Sequence, residues 1–168
     1  EPVPTTGGST RYYVRWGTDP ADDYVDDAED WRKLRTFSAK VEALKHDTLR
    51  LLGRLKAEGH SIYGIAASTK FNTMAQYYGL GPELIQAIGE RSRFKWGKST
   101  VGTNIPIVSE EAMRAARPDY LFCCAWQFAE AFARREALLL KHGTKLIVPL
   151  PTLRIVGVDN ADVLEAVA

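Results

Sequence analysis

The sequence predicts an α/β fold: a mostly parallel sheet with helices on both faces, preceded by a strand and a long helix. Two observations carry this expectation. From Ser61 onward, short apolar runs alternate with helical stretches through short connections, the signature of strands joined by crossover helices. Before them, about thirty residues keep a helical apolar period, as a helix laid on such a sheet would.

Each element can be read in order. Arg11 to Trp16 is aromatic and β-branched and reads as a strand. Asp19 to Asp30 has seven acidic residues in twelve and reads as a solvated loop. Its last carboxylates favour a helix start. From Glu29 to Glu58, Leu34, Phe37, Val41, Leu44, Leu51 and Leu55 fall on one stripe, with Thr48 its only polar member. Gly59 follows as a helix stop. Ser61–Ala66, Leu84–Ile88, Tyr120–Ala125 and Lys145–Val148 read as strands, and Ile105–Val108 as a short extended piece. Helices are expected from Thr69 to Tyr78, after the N-cap Ser109, and from Phe128 to His142.

Composition narrows the function. In 168 residues, 22 Lys and Arg face 21 Asp and Glu, a net charge of +1. Bulk attraction to nucleic acid or to an anionic membrane is not implied. No apolar run approaches the roughly 20 residues that span a bilayer, and the first residues do not form a secretory signal. The missing initiator Met points to a piece of something longer. Cys123 and Cys124 are adjacent and fit neither metal-ligand nor disulfide spacing; buried filler, one on each face of the strand, is the expectation. His46, His60 and His142 have no partner at ligand spacing. A cytoplasmic, reduced domain without metal is the default.

In a doubly wound sheet, ligands bind outside the carboxyl ends of the strands, at the first strand-to-helix turn. That turn is Gly64 to Lys70. Small residues there admit a ligand, and a helix start offers N–H groups to an anion. Ser68 and Thr69 add hydroxyls, and Lys70 adds a charge for a phosphate. Ala66 and Thr69 stand where G-x-G-x-x-G needs glycine, so the turn alone is a weak motif, and a tight turn without a ligand remains open. Glu90 follows the end of the second strand, where a carboxylate takes a ribose hydroxyl; a surface glutamate starting a loop is the equal alternative. Arg91, Arg93, Lys95 and Lys98 alternate with Phe94 and Trp96. Such a loop could clamp single-stranded nucleic acid, close over one nucleotide's phosphates, or merely be solvated; the near-neutral charge favours the second over the first. Trp126 could wall a base or sugar, or be core. No adjacent nucleophile and base is present, so the chain shows parts for holding a nucleotide-like ligand and none for a reaction.

Several stretches in order resemble one family. They are Gly64–Thr73, Glu90–Gly97, Gly102–Ser109, Pro118–Leu121 with Trp126, and Gly143–Pro151. Gly7, Gly8, Ser9 and Arg11 resemble the joint that leads into the same domain. Together the chain resembles the C-terminal domain of S-adenosylmethionine-dependent C-methyltransferases, best known for methylating nucleotide-linked keto-deoxysugars. The resemblance implies a Rossmann-like domain over residues 29–168, after a joint segment at 1–28 with a strand and an acidic loop, one domain overall. It implies a substrate-binding role in the cytoplasm, with Gly64, Ala67, Ser68, Lys70, Asn72, Glu90, Arg91, Lys95 and Trp126 around the nucleotide and no catalytic residue here. The partners implied are a nucleotide-sugar-like molecule and the methyl-donor domain of the parent chain, not nucleic acid or membrane. S-adenosylmethionine and a structural zinc are implied for the parent's other domains, with no cofactor in this chain, which alone is then expected to be inactive. Four positions depart from the family: Ala66 and Phe71 replace common glycines, Ala125 a frequent proline, and Thr6 a frequent histidine. Phe71 is expected to narrow the approach to the turn. The competing readings are an NAD(P)-binding module, which lacks a Tyr-x-x-x-Lys pair for hydride transfer, and a structural domain docking through the long stripe.

Overall fold

The structure, a computed structural model, describes residues 2–3, 9–10 and 28–158, with side chains from residue 36 onward. The expected strand at Arg11–Trp16, most of the acidic loop, and Thr6 lie outside the described residues. The chain divides into two compact units, residues 1–41 and 42–168.

In the first unit, β1 (Pro2–Val3) pairs antiparallel with β2 (Ser9–Thr10), Pro2 opposite Thr10. Helix α1 (Ala28–Ala57) begins in this unit, within a residue of its expected start, and Phe37 on it is exposed.

The second unit takes the remainder of α1 and then alternates strand and helix: β3 (Ile62–Ile65), α2 (Thr69–Tyr78), β4 (Ile88–Glu90), β5 (Ile107–Ser109), α3 (Glu110–Ala115), β6 (Tyr120–Cys123), α4 (Ala129–Arg135), α5 (Ala137–Lys141), β7 (Lys145–Val148) and β8 (Arg154–Val156). The six-stranded sheet runs β5-β4-β3-β6-β7-β8. All pairs are parallel except the last, β7 with β8. The three-layer, mostly parallel fold expected from the sequence is the fold observed.

Two cores sit on opposite faces because side chains alternate along each strand. Ile62, Phe122, Cys124 and Ile147 face α1 and α2, packing against Leu52, Leu55, Phe71 and Met74. Ile65, Leu121, Cys123, Leu146 and Val148 face α3, α4 and α5, packing against Met113, Phe132 and Leu140. The two adjacent cysteines therefore bury on opposite sides, as the alternation predicts.

Several boundaries differ from expectation. The second strand is Ile88–Glu90, not Leu84–Ile88: both Leu84 and Ile85 donate their N–H to Gly81 O, so the residues after Pro82 turn instead of extending. The Phe128–His142 helix is two helices broken at Glu136, whose carboxylate is drawn into the interior by two arginines. On α1, Leu52 and Leu55 are fully buried while Leu51 is only half-buried, so the stripe turns slightly as it meets the sheet. Phe71 does not narrow the turn: it is wholly buried, edge-on to Phe122 at 5.9 Å between ring centres, beneath the helix.

Candidate functional site

The strand order reverses between β3 and β6, and sheets of this kind bind ligands outside the carboxyl ends of the strands at such a reversal, which makes this end of the sheet the rim of the candidate site. On the β3 side the chain passes through Ala66, Ala67 and Ser68 into α2. Ala66 adopts φ 67°, a left-handed conformation unusual for a residue with a Cβ. Ser68 caps α2: its Oγ accepts from Phe71 N at 3.0 Å and donates to Cys124 O at 2.8 Å, fastening the ends of β3 and β6 together. Gly64 lies one step earlier, inside β3. A Cβ there would come within 2.8 Å of Cys124 Sγ and 2.9 Å of Ile88 Cγ1, so packing between strands requires this glycine.

The second wall is the end of β4 and the loop after it. Glu90 is largely buried, and both of its carboxylate oxygens are engaged by the chain itself. Ala67 N donates to Oε2 at 2.9 Å, Ser92 N to Oε1 at 2.9 Å, and Lys95 Nζ lies 3.3 Å from Oε2. Lys95 also donates to Ala67 O at 2.8 Å, and Trp96 Nε1 to Glu90 O at 2.7 Å. The loop continues in register, since Gly97 N donates to Ile107 O and Ile107 N returns a bond to Lys98 O. This basic, aromatic segment is therefore pinned. Arg93 stacks over Trp96 at 5.7 Å, and Phe94 is left 88% exposed.

The structure brings seven of the nine expected site residues to the rim: Ala67, Ser68, Lys70, Glu90, Arg91, Lys95 and Trp126. Lys70 and Arg91 are exposed, and Trp126, on the turn after β6, is half-buried against both cores. Gly64 sits below the rim, and Asn72 on α2 has its Oδ1 buried without a hydrogen-bond partner.

Other candidates resolve into structure. Burial pushes the Cys123 thiol up to about 12 and Cys124 well above the ordinary value, so neither is a thiolate nucleophile. His60 stands edge-on to Tyr120, and His46 Nδ1 is 2.8 Å from Glu42 O. Among the described residues no three His, Cys, Asp or Glu side chains gather as a metal site, and no helix is long and apolar enough to cross a membrane. A cavity of about 500 Å³ lined by Arg114, Arg117, Asp119, His142 and Thr144 lies at the amino end of the sheet, away from the crevice.

Sequence reasoning missed one cluster. Glu110 and Glu136, both buried, share Arg114 and Arg135: Arg114 lies side-on to Glu136 with both contacts at 2.7 Å, and Arg135 reaches Glu110 at 2.6 Å. The only local sign was the i,i+4 spacing of Glu110 and Arg114, which in a sequence reads as a surface pair.

The model of the C-methyltransferase C-terminal domain family matches residues 4–151. The chain is 30% identical over 126 residues to C-methyltransferase NovU of Streptomyces niveus, an alignment covering 75% of this chain and 30% of that protein. The alignment thus spans less than a third of the relative's length.

Proposed function

The chain belongs to the C-methyltransferase C-terminal domain family, and from that premise we propose that it holds the nucleotide part of a nucleotide-linked keto-deoxysugar for methyl transfer to carbon. One observation carries the reading beyond the family. The crevice at the strand-order reversal is flanked by exposed cations, Lys70 at the start of α2 and Arg91 after β4. A diphosphate there meets the positive end of α2 and the Lys70 ammonium. Arg91 offers a planar fork for a second phosphate oxygen, and Trp126 offers an aromatic wall.

The reaction belongs to the parent protein. S-adenosylmethionine, held by another domain, supplies the methyl group to a carbon acidified by a neighbouring ketone once a base has taken its proton. This domain's part is to hold the nucleotide, so that the sugar is presented in one orientation.

Calorimetry with nucleoside diphosphates and nucleotide sugars tests this. The wild type binds at millimolar concentration or better, and Lys70→Ala weakens binding about ten-fold to a hundred-fold, the worth of one charge-assisted hydrogen bond. The difference shrinks as salt rises. Unchanged affinity in a well-folded Lys70→Ala protein removes the phosphate assignment; no binding by the wild type removes the nucleotide reading.

A further inference from the structure

The Glu90 carboxylate occupies the position at which dinucleotide-binding sheets of this strand order take a ribose diol, yet it has no oxygen left unused. Oε1 accepts from Ser92 N, and Oε2 from Ala67 N with Lys95 beside it. The Ala67 N–H, which in such a turn would point at a pyrophosphate, is consumed by the same carboxylate. Lys95 closes the ring by donating to Ala67 O. Next to this ring lies a cavity of only about 210 Å³, lined by Glu90, Arg91, Arg93, Trp96, Glu110 and Glu111. Small-molecule sites are usually roughly 300–1,000 Å³, so this space is too small for a ribose with its base.

We propose that Glu90 and Lys95 are positioning residues: they form an internal clasp that fixes the first turn and closes the position a dinucleotide's ribose would need. The proposal rests on the nucleotide-binding reading only for its consequence on affinity. The left-handed Ala66 is held between a bond from its own N–H to Gly89 O at 2.8 Å and the clasp at Ala67, so the clasp sets the direction in which the chain enters α2. It also makes the crevice selective, open to one nucleotide's diphosphate beside Lys70 and closed to the adenosine half of NAD(P).

Two independent readouts test it. The first is amide hydrogen exchange by NMR on the ligand-free protein. Glu90→Gln keeps the shape but has one acceptor oxygen where the carboxylate has two, so either Ala67 N–H or Ser92 N–H loses its partner and exchanges about ten-fold faster or more, while amides in β3 and β6 keep their protection. The second is titration with adenosine, uridine and thymidine diphosphates and with NADH. The wild type binds a diphosphate and shows no tryptophan quenching by NADH, Glu90→Gln and Lys95→Met each weaken diphosphate binding about ten-fold, and Lys95→Arg, which can still donate to both oxygens, restores it. Unchanged exchange at Ala67 and Ser92 in folded Glu90→Gln overturns the clasp. Changed exchange with unchanged diphosphate affinity overturns its positioning role, and NADH binding by the wild type overturns the closure. If the wild type binds no diphosphate, the nucleotide-binding reading falls, and exchange alone decides the clasp.

Discussion

Two groups of buried carboxylates stand on this sheet, and they are built from different partners. At the end of β4, Glu90 is satisfied by two backbone N–H groups and one lysine. Between α3 and the break at Glu136, two glutamates are satisfied by two arginines through five side-chain contacts. Backbone donors fix the path of the chain where they lie, so the first group shapes a turn. Arginine forks reach across elements and bind side-on, so the second ties helices together. The partner type, more than the burial, tells which carboxylate serves the site and which serves stability.

The largest effect that could break this comparison is at Glu136. Glu136→Gln should cost about 3 kcal/mol in denaturant unfolding, the low end for breaking a buried pair because both arginines keep partial exposure. The same change at Glu90 should cost only about 1–2 kcal/mol. Equal costs would erase the distinction. Burial alone would push the Glu136 carboxyl up, but hydrogen bonds from Arg114 and Arg135 outweigh it and hold it below the ordinary 4.5. As pH falls, the unfolded chain binds that proton first, so this stabilisation is complete above about 4.5 and is lost as pH drops through the lower folded value. Thermal melts across that range should show the loss in the wild type and a flatter profile in Glu136→Gln.

The next effect sharpens the account of the turn. Gly64→Ala should destabilise by about 1–3 kcal/mol, because Cys124 and Ile88 are buried and have little room to move. A loss of ligand binding with stability intact would instead assign Gly64 to the site. The smallest effect is at Ala66, where glycine removes the strain of φ 67° and costs only some unfolded-state entropy. Ala66→Gly should raise stability by up to about 1 kcal/mol in chemical denaturation, and a loss would mean that the clasp depends on the methyl group.

Much of the fold was legible in order along the chain. Short apolar runs marked β3, β6 and β7, and the long stripe marked α1 to within a residue. The run Leu84–Ile88 misled because its apolar residues serve a turn packed into the core: Ile85 is fully buried without being in a strand. At the site, sequence placed Ser68, Glu90 and Lys95 near one another but assigned their hydrogen bonds to a ligand. Nothing in the residue types says whether a carboxylate faces solvent or its own backbone, since Ala67 and Glu90 meet only when β3 and β4 pair.

The sequence by itself determined the alternation of strand and helix, the two-faced burial of Cys123 and Cys124, and the helix cap at Ser109. These follow from local periodicity and local hydrogen bonds, which a chain carries wherever it folds. Only the tertiary structure decided that Gly64 serves packing, that Phe71 lies beneath α2 instead of over the turn, that Glu136 breaks a helix, and that Glu90 and Lys95 close on Ala67. Each of those depends on a neighbour more than a few residues away, brought into contact by strand order, and strand order is set by burying both faces of the sheet at once.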